Sequence, residues 1–172
     1  MPAGGFAAWL AGMQRALRGE AESDVPCAGC TACCTSSQFV HIEPDETATL
    51  RRIPAQLLFP APRLPMGHVL LGYDERGHCP MLVDGACSIY DDRPRTCRTY
   101  DCRIFAATDI DLDEDEKPAI AARARRWVFD FSSDLDRAAH DAVCAAAAEV
   151  GRDDTSMSAT QRAALAIERA CR

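Results

Sequence analysis

Apolar residues recur with the 3.6-residue period of an amphipathic helix near both ends of the chain. At the N-terminus this period covers residues 1–19, on positions that can pack one helix face against the rest of the protein. The apolar positions of this first helix are Phe6, Trp9, Leu10, Met13 and Leu17. Toward the C-terminus the pattern predicts three further helices: residues 118–131, a helix capped by Ser132 or Ser133 that runs through Leu135 to Val150 and stops at Gly151, and residues 158–172.

The middle of the chain alternates short apolar runs with turn residues, which is typical of short strands. One run covers residues 39–42. Three later runs are separated by turns of the Asp-Gly type and predict a small antiparallel meander over residues 69–73, 79–83 and 87–90. The fold class that follows is α+β: a mainly helical small domain with an irregular cysteine-rich region and a short antiparallel meander.

A short helix is expected in the same region, from Pro44 to about Arg52, because proline is favoured at the first helical position. We divide the chain into an N-terminal helix and linker over residues 1–26, a cysteine-cluster domain over residues 27–105, and a helical segment packed on it over residues 106–172.

Composition and charge exclude several classes of protein. The chain has 172 residues and a formal net charge of −7, so as a whole it is a poor electrostatic match for nucleic acid. No run of eighteen apolar residues predicts a membrane span. The apolar residues near the N-terminus follow no basic segment, which argues against a secretory signal and favours the cytoplasm. The expected partners are a metal ion and a protein bound through the helices.

Cysteine carries the strongest chemical signal. In a chain without a secretion signal, ten cysteines favour metal-bound thiolates over disulfides. Two of them, Cys144 and Cys171, stand alone in predicted helices. The other eight crowd into loops and strands, beginning with a C-x2-C-x2-C-C segment whose spacing brings thiolates to one side of a tight turn. The candidate metal ligands are Cys27, Cys30, Cys33, Cys34, Cys79, Cys87, Cys97 and Cys102.

Eight thiolates are compatible with two zinc sites, with one iron–sulfur cluster that uses four of them, or with a polynuclear site that shares sulfurs. The neighbours Cys33 and Cys34 point opposite ways in an extended chain, so one of them serves a second site, bridges or stays free. The C-x2-C-x2-C spacing matches the first three ligands of a bacterial ferredoxin, and Cys79-Pro80 resembles its C-P ending, although Cys79 lies far downstream. The cofactor is therefore an iron–sulfur cluster or Zn²⁺.

Other side chains are candidates for the surroundings of the metal. Tyr90 can cover the site with its ring. Arginines between and beyond the later cysteines can donate hydrogen bonds near the sulfurs, or they can pair with Asp91, Asp92 and Asp101. Those arginines are Arg93, Arg95, Arg98 and Arg103. The histidines are weaker candidates: His78 adjoins Cys79, His41 follows the first cysteine segment, and His68 and His140 have no ligand-like neighbours in the sequence.

The ordered cysteines and the landmarks between them resemble the YkgJ-type cysteine-cluster family. These proteins are described as zinc- or iron-chelating domains and as iron–sulfur-cluster-containing proteins. The resemblance covers about residues 27–102 and implies metal binding through the eight cysteine positions. It rests on C-x2-C-x2-C-C, Cys79-Pro80-x-Leu82, Gly85-x-Cys87-x-Ile89-Tyr90, Arg93-Pro94, Cys97-Arg98, Tyr100 and Cys102.

The expected function is a metal-binding protein that holds iron, as an iron–sulfur cluster, or zinc, with a role in redox chemistry, metal handling or maturation of a partner. The rival hypothesis is a zinc-stabilised protein-interaction module without catalytic activity. An enzyme that uses the cluster is a third hypothesis. A related cysteine domain occurs in flagellin lysine methylases, but this chain is short for such an enzyme and shows no motif for its methyl donor.

Overall fold

The computed structural model describes residues 1–23, 25, 29–112, 117–153 and 157–170. The chain forms two compact units. The helical unit comprises Met1–Val25 and Asp101–Arg172, and the cysteine unit comprises Pro26–Tyr100.

Short strands and helices follow one another along the described part of the chain. The strands are β1 (Pro2–Gly5), β2 (Val40–Ile42), β3 (Leu58–Pro60), β4 (Val69–Leu71), β5 (Leu82–Val83), β6 (Ala86–Cys87) and β7 (Val128–Asp130). The helices are α1 (Phe6–Leu17), α2 (Thr47–Arg52), α3 (Arg95–Thr99), α4 (Arg103–Thr108), α5 (Pro118–Ala124), α6 (Asp134–Asp153) and α7 (Ala159–Arg169). Single 3₁₀ turns occupy Cys33–Thr35, Ala55–Leu57 and Tyr90–Asp92. The α+β class predicted from the sequence is confirmed.

In the helical unit, a parallel strand pair replaces parts of two predicted helices. Residues 2–5 form β1 rather than the first turn of the N-terminal helix, and they pair with β7 in the register Pro2↔Val128 and Gly5↔Asp130. The helix predicted over residues 118–131 ends at Ala124 for the same reason. Valine and phenylalanine in β7 suit a strand, and the pairing satisfies backbone groups that a helix would otherwise have used.

Aromatic rings bind this strand pair to α1. Phe6 is fully buried, and its ring centroid lies 5.1 Å from that of Phe129. Trp9 is also buried, with its ring centroid 4.9 Å from the same phenylalanine. The predicted apolar face of α1 is thus the face that packs inward.

The C-terminal helices start where the sequence predicts and pack through small residues. Ser133 accepts a hydrogen bond from the backbone N–H of Asp136 at the start of α6 (3.1 Å), and Ser158 caps α7 in a reciprocal capping box with Gln161. Gly151 does not end α6, which continues to Asp153. The helices meet through Ala146, Ala147, Val150 and Ala166.

In the cysteine unit, a three-stranded antiparallel sheet has the order β2-β4-β3. Strand β4 therefore pairs with two earlier strands, whereas the meander predicted from the sequence joins it to residues 79–83. Those later residues form a separate hairpin, β5–β6, with Leu82 opposite Cys87. Alternate residues of the sheet face a buried cluster that consists of Val40, Ile42, Ile53, Leu71 and Ile89.

Helix α2 begins at Thr47, later than Pro44 predicts. Residues 43–46 form a turn, closed by a hydrogen bond from the Glu46 backbone N–H to the Glu43 carbonyl (3.1 Å). The buried Glu46 carboxylate accepts hydrogen bonds from the backbone N–H groups of Glu43 and Arg95, which holds the turn in place. None of the helices in the described ranges is both long and apolar enough to cross a lipid bilayer.

Candidate metal centre

The described part of the C-x2-C-x2-C-C segment, from Gly29 onward, forms a turn. Gly29 adopts a φ of +68°, the left-handed conformation that its missing Cβ permits. Cys33 and Cys34 lie in a 3₁₀ turn, where neighbouring side chains diverge by about 120° rather than pointing in opposite directions. The turn is closed by Thr35, whose backbone N–H and hydroxyl both donate to the Thr31 carbonyl (3.0 and 3.1 Å).

Two backbone hydrogen bonds tie this turn to the segment before Cys79. The Cys79 N–H donates to the Cys34 carbonyl (2.7 Å), and the Ser37 N–H donates to the Gly77 carbonyl (2.9 Å). Residues 40 and 45 positions apart in the sequence are thus held side by side. The first and second groups of cysteines are joined through the backbone, independently of any bound ion.

The β5–β6 hairpin brings Cys79 and Cys87 together. The Leu82 N–H donates to the Cys79 carbonyl (2.9 Å), and Leu82 stands opposite Cys87 in the hairpin. Both cysteines are partly buried and pack against the apolar cluster beneath the sheet. Burial raises the pKa of the Cys79 thiol, and the negative charge of a Cys87 thiolate raises it further.

Cys97 joins the same group from α3. Desolvation raises the pKa of its thiol to about 12, and the negative charges of Cys34, Cys79 and Cys87 thiolates contribute to the rise. Cys97 is exposed as a whole residue, although desolvation of its sulfur is the largest cause of the raised pKa. The four thiols are therefore close enough for their charges to interact.

These four thiols form a donor set that suits a thiophilic metal. A cation among neighbouring thiolates offsets their mutual repulsion, and zinc and iron both accept all-thiolate ligand sets. Among the described residues, no three Cys, His, Asp or Glu side chains are already arranged to hold an ion. Binding would thus draw the thiols together, which couples metal binding to local folding.

The predicted arginine neighbours of the metal differ in their contacts. Arg93 lies with its guanidinium 4.2 Å from the centre of the Tyr90 ring, and its positive charge lowers the pKa of Cys97. Arg95 instead binds two carboxylates, Glu43 at 2.7 Å and Asp45 at 2.9 Å. Arg98 is half-buried on α3, directly after Cys97.

The remaining predicted ligands are Cys27, Cys30, Cys33 and Cys102. Cys27, like Cys171, lies outside the described residues. Cys30 and Cys33 belong to the same turn as Cys34 and are partly buried. Cys102 belongs to the helical unit, where it is buried and its Sγ accepts a hydrogen bond from the Trp127 indole N–H (3.2 Å).

The helical unit also holds a half-buried thiol outside the predicted ligand set. Cys144 lies on α6, with its Sγ 3.4 Å from the His140 Nε2 and 3.8 Å from the Ala107 carbonyl oxygen. Burial raises the pKa of this thiol, as do the carboxylates of Asp109 and Asp141. The raised pKa disfavours a reactive thiolate.

Sequence reasoning missed a pair of histidines in the cysteine unit. His41 Nε2 and His68 Nδ1 lie 2.9 Å apart, although nothing in the sequence around His68 indicates a polar partner. Their proximity depends on the pairing of β2 with β4, which the predicted meander did not include. A search for histidines that face each other across candidate strand pairs would have found them.

Comparison with known proteins gives one match. The model of the CxxCxxCC family, described as a "putative zinc- or iron-chelating domain", matches residues 26–123. No curated protein and no solved structure matches the chain. The family match spans more than half of the chain and contains all eight candidate cysteines of the sequence analysis. The chain therefore belongs to the CxxCxxCC family of zinc- or iron-chelating domains.

Proposed function

We propose that the cysteine unit binds iron, as an iron–sulfur cluster, through the thiolates of Cys34, Cys79, Cys87 and Cys97. The observation that carries this proposal is the convergence of these cysteines: the backbone of Cys79 is hydrogen-bonded to Cys34, Cys87 lies in the adjacent hairpin, and the charges of all three raise the pKa of Cys97. Four thiolates are a sufficient set of protein ligands for an iron–sulfur cluster or for a structural zinc ion. Cys27, Cys30 and Cys33 are the remaining candidates in the cysteine unit for a second site or for bridging sulfurs, and Cys102 is a separate candidate ligand in the helical unit.

The charge around these thiols supports a bound cation. Four thiolates on a divalent ion leave a net charge of −2, and a nearby guanidinium reduces the free energy needed to gather them. Arg93 supplies that charge, since its effect on the pKa of Cys97 opposes the effects of burial and of the other thiols. Its contact with the Tyr90 ring and its hydrogen bond to the Tyr90 carbonyl (2.8 Å) fix its position.

The role that we propose is redox chemistry, metal handling or maturation of a partner. Zinc at the same thiolates is the rival, and it would make the cysteine unit a metal-stabilised interaction module. The two possibilities differ in colour and in acid-labile sulfide, because an iron–sulfur cluster absorbs visible light and a zinc–thiolate site does not.

The test is to purify the untagged chain without oxygen and to measure metal content, sulfide and the visible spectrum. Cys97→Ser should lose most of the metal, because it removes a thiolate from the middle of the group. Cys144→Ser is the matched control, a single sulfur-to-oxygen change in the helical unit, and should keep the wild-type metal content.

Three outcomes decide between the possibilities. Iron with sulfide and visible absorption supports the cluster. Zinc without colour supports the interaction module. Metal content that is zero in the wild type, or equal in Cys97→Ser and the wild type, contradicts metal binding by these thiols.

A further inference from the structure

A cavity of about 220 Å³ opens in the helical unit between α4, α5 and the loop that follows α4. Its described lining residues fall between Phe105 and Trp127 and include none of the predicted metal ligands. The metal-binding function proposed above gives this cavity no role. A pocket with an apolar interior and a few polar groups is the usual form of a small-molecule site, so its lining indicates what it can bind.

The floor of the pocket is apolar and shielded from water. Phe105 comes from α4, Ala121 and Ala124 come from α5, and Leu112 and Trp127 complete the floor. All five residues are buried. The two alanines leave space that longer side chains would fill, so the cavity can accept an apolar group of a ligand. Burial of that group removes apolar surface from water and favours binding.

Charged side chains of both signs border the opening of the pocket. Asp109, Asp111 and Arg125 also line it, and all three are exposed. Among the ion pairs of the described residues, none joins either of these carboxylates to Arg125. Two carboxylates and a guanidinium around one small opening complement a ligand that carries both a positive and a negative group.

The volume of the cavity limits the size of that ligand. Pockets for drug-sized molecules begin at about 300 Å³, whereas an apolar cavity of about 150 Å³ holds one benzene ring. By proportion, the 220 Å³ of this cavity holds about nine non-hydrogen atoms. Leucine and isoleucine are zwitterions of that size, whereas glycine would leave the apolar floor empty.

We propose that this pocket binds a free amino acid with a branched aliphatic side chain. Asp109 and Asp111 accept hydrogen bonds from the ammonium group, Arg125 donates to the carboxylate, and the side chain fills the apolar floor. The charged groups are exposed, so the affinity is modest. The proposal goes beyond metal binding by the thiols and does not rest on it.

The test measures binding of L-leucine to the full-length chain by calorimetry. Three analogues each lack one feature of this probe: 4-methylpentanoate has no ammonium group, L-leucinamide has no carboxylate, and glycine has no apolar side chain. Each should bind at least roughly tenfold more weakly than L-leucine, because each loses a charged hydrogen-bonding group or the buried apolar group. L-leucinamide also resembles the first residue of a peptide, so it distinguishes a free amino acid from a peptide end.

Two variants remove the charges at the opening. Asp109 has a φ of +53°, a conformation that asparagine also adopts, so Asp109→Asn removes the charge without straining the backbone. Asp109→Asn and Arg125→Gln should each weaken L-leucine binding roughly three- to tenfold. The matched controls are Asp141→Asn and Arg126→Gln, which change exposed residues of the same unit outside the described lining. Both controls should bind L-leucine as the wild type does.

Four results would overturn the proposal. The wild type fails to bind L-leucine, or it binds L-leucinamide or 4-methylpentanoate as tightly as L-leucine. Asp109→Asn and Arg125→Gln both keep the wild-type affinity, or the two control variants lose as much affinity as they do. Circular dichroism and metal content are measured for every sample. A failure to bind L-leucine in a folded, metal-loaded chain is thereby distinguished from a failure of the thiolate site.

Discussion

Gly77 is the residue whose backbone conformation controls how the two groups of cysteines meet. Its φ is +77°, and its carbonyl accepts the hydrogen bond from Ser37 that helps to join the first cysteine turn to Cys79. A Cβ built at this position would collide with the Ser37 hydroxyl. Glycine, which has no Cβ, adopts this torsion without strain and also leaves room for the Ser37 hydroxyl.

We expect Gly77→Ala to destabilise the cysteine unit more than Gly85→Ala does. Gly85 has almost the same torsion, φ +76°, but its Cβ would meet nothing within 4 Å. Left-handed backbone costs about 1–2 kcal/mol for a non-glycine residue, and it should account for the whole effect at Gly85. The Ser37 hydroxyl must rotate away from the added methyl group, which should add about 0.5–1.5 kcal/mol at Gly77.

Urea unfolding of the two alanine variants tests this difference. Near-ultraviolet circular dichroism of tyrosine reports on the cysteine unit, because all three tyrosines lie there: Tyr73, Tyr90 and Tyr100. Equal losses in the two variants would show that torsion alone matters at Gly77.

A buried ion pair makes the helical unit sensitive at Asp101. Its carboxylate accepts hydrogen bonds from Trp9 Nε1 (3.0 Å), the Ser23 hydroxyl (2.9 Å) and the Arg103 guanidinium (2.6 Å). Asp101 and Arg103 are only 2% and 5% exposed, so loss of the carboxylate would remove a charged partner from a buried guanidinium.

Asp101→Ala should therefore lower the free energy of unfolding of the helical unit by about 3–5 kcal/mol. The control is Glu20→Ala, which breaks the exposed pair with Arg18 and should change stability little. Tryptophan fluorescence during urea unfolding reports on this unit, since Trp9 and Trp127 both belong to it. Similar losses in the two variants would show that the buried pair is no more important than a surface one.

At the scale of elements, one carboxylate serves the starts of two helices. Asp136 accepts a hydrogen bond from the backbone N–H of Ala7 in the first turn of α1 (2.8 Å). It also accepts hydrogen bonds from the hydroxyl and the backbone N–H of Ser133, which caps α6. Helix N-termini carry unpaired N–H groups and partial positive charge, so a single anion satisfies both.

These contacts hold the pKa of Asp136 below its ordinary value of 3.8, with the Ser133 hydroxyl as the largest cause. Since the folded state lowers this pKa, the stabilisation is present in full above the unfolded value and is lost as the pH falls below it. The wild type should thus lose more stability between pH 6 and about pH 3 than Asp136→Asn does. Urea unfolding at the two pH values gives the comparison, and parallel losses would exclude a coupling between α1 and α6 through this charge.

The elements that sequence analysis placed correctly are those whose signals are local. Ser133 and Ser158 cap α6 and α7, because the hydroxyl of each serine accepts a hydrogen bond from the backbone N–H three residues later. Strand β1 has no such local signal, because residues 2–5 become a strand only by pairing with β7, more than 120 residues away. The helical period that starts at Phe6 is real, because α1 begins at that residue, directly after the strand.

At the scale of the whole molecule, local sequence patterns predict part of the metal centre, and contacts between distant segments form the rest. The spacing of the first four cysteines is a local pattern and indicates metal chemistry directly. The grouping of Cys34 with Cys79 and Cys97 depends on backbone hydrogen bonds between distant segments, and the pairing of His41 with His68 depends on strand order. Neither relation has a signature in residue spacing.

The division into two units leaves Cys102 as the predicted ligand that belongs with the helices. Its sulfur accepts the Trp127 indole N–H, an interaction that stabilises a thiolate and that accompanies many metal-bound sulfurs. Indole emission responds to the charge on a sulfur at this distance, so Trp127 is a natural reporter of whether Cys102 binds metal.

If Cys102 is a metal ligand, removing the metal should change the fluorescence emission of Trp127. In a Trp9→Phe chain, Trp127 is the sole tryptophan, and a chelator should shift or quench its fluorescence as the Cys102 thiolate becomes a thiol. A Cys102→Ser substitution in the same background should abolish that response. If the chelator instead changes only the tyrosine circular dichroism, Cys102 is a buried core thiol and the metal is held by the cysteines of the cysteine unit alone. The two outcomes also differ in stability. If Cys102 does not bind metal, removing the metal should destabilise the cysteine unit alone, and the helical unit should keep its wild-type unfolding midpoint.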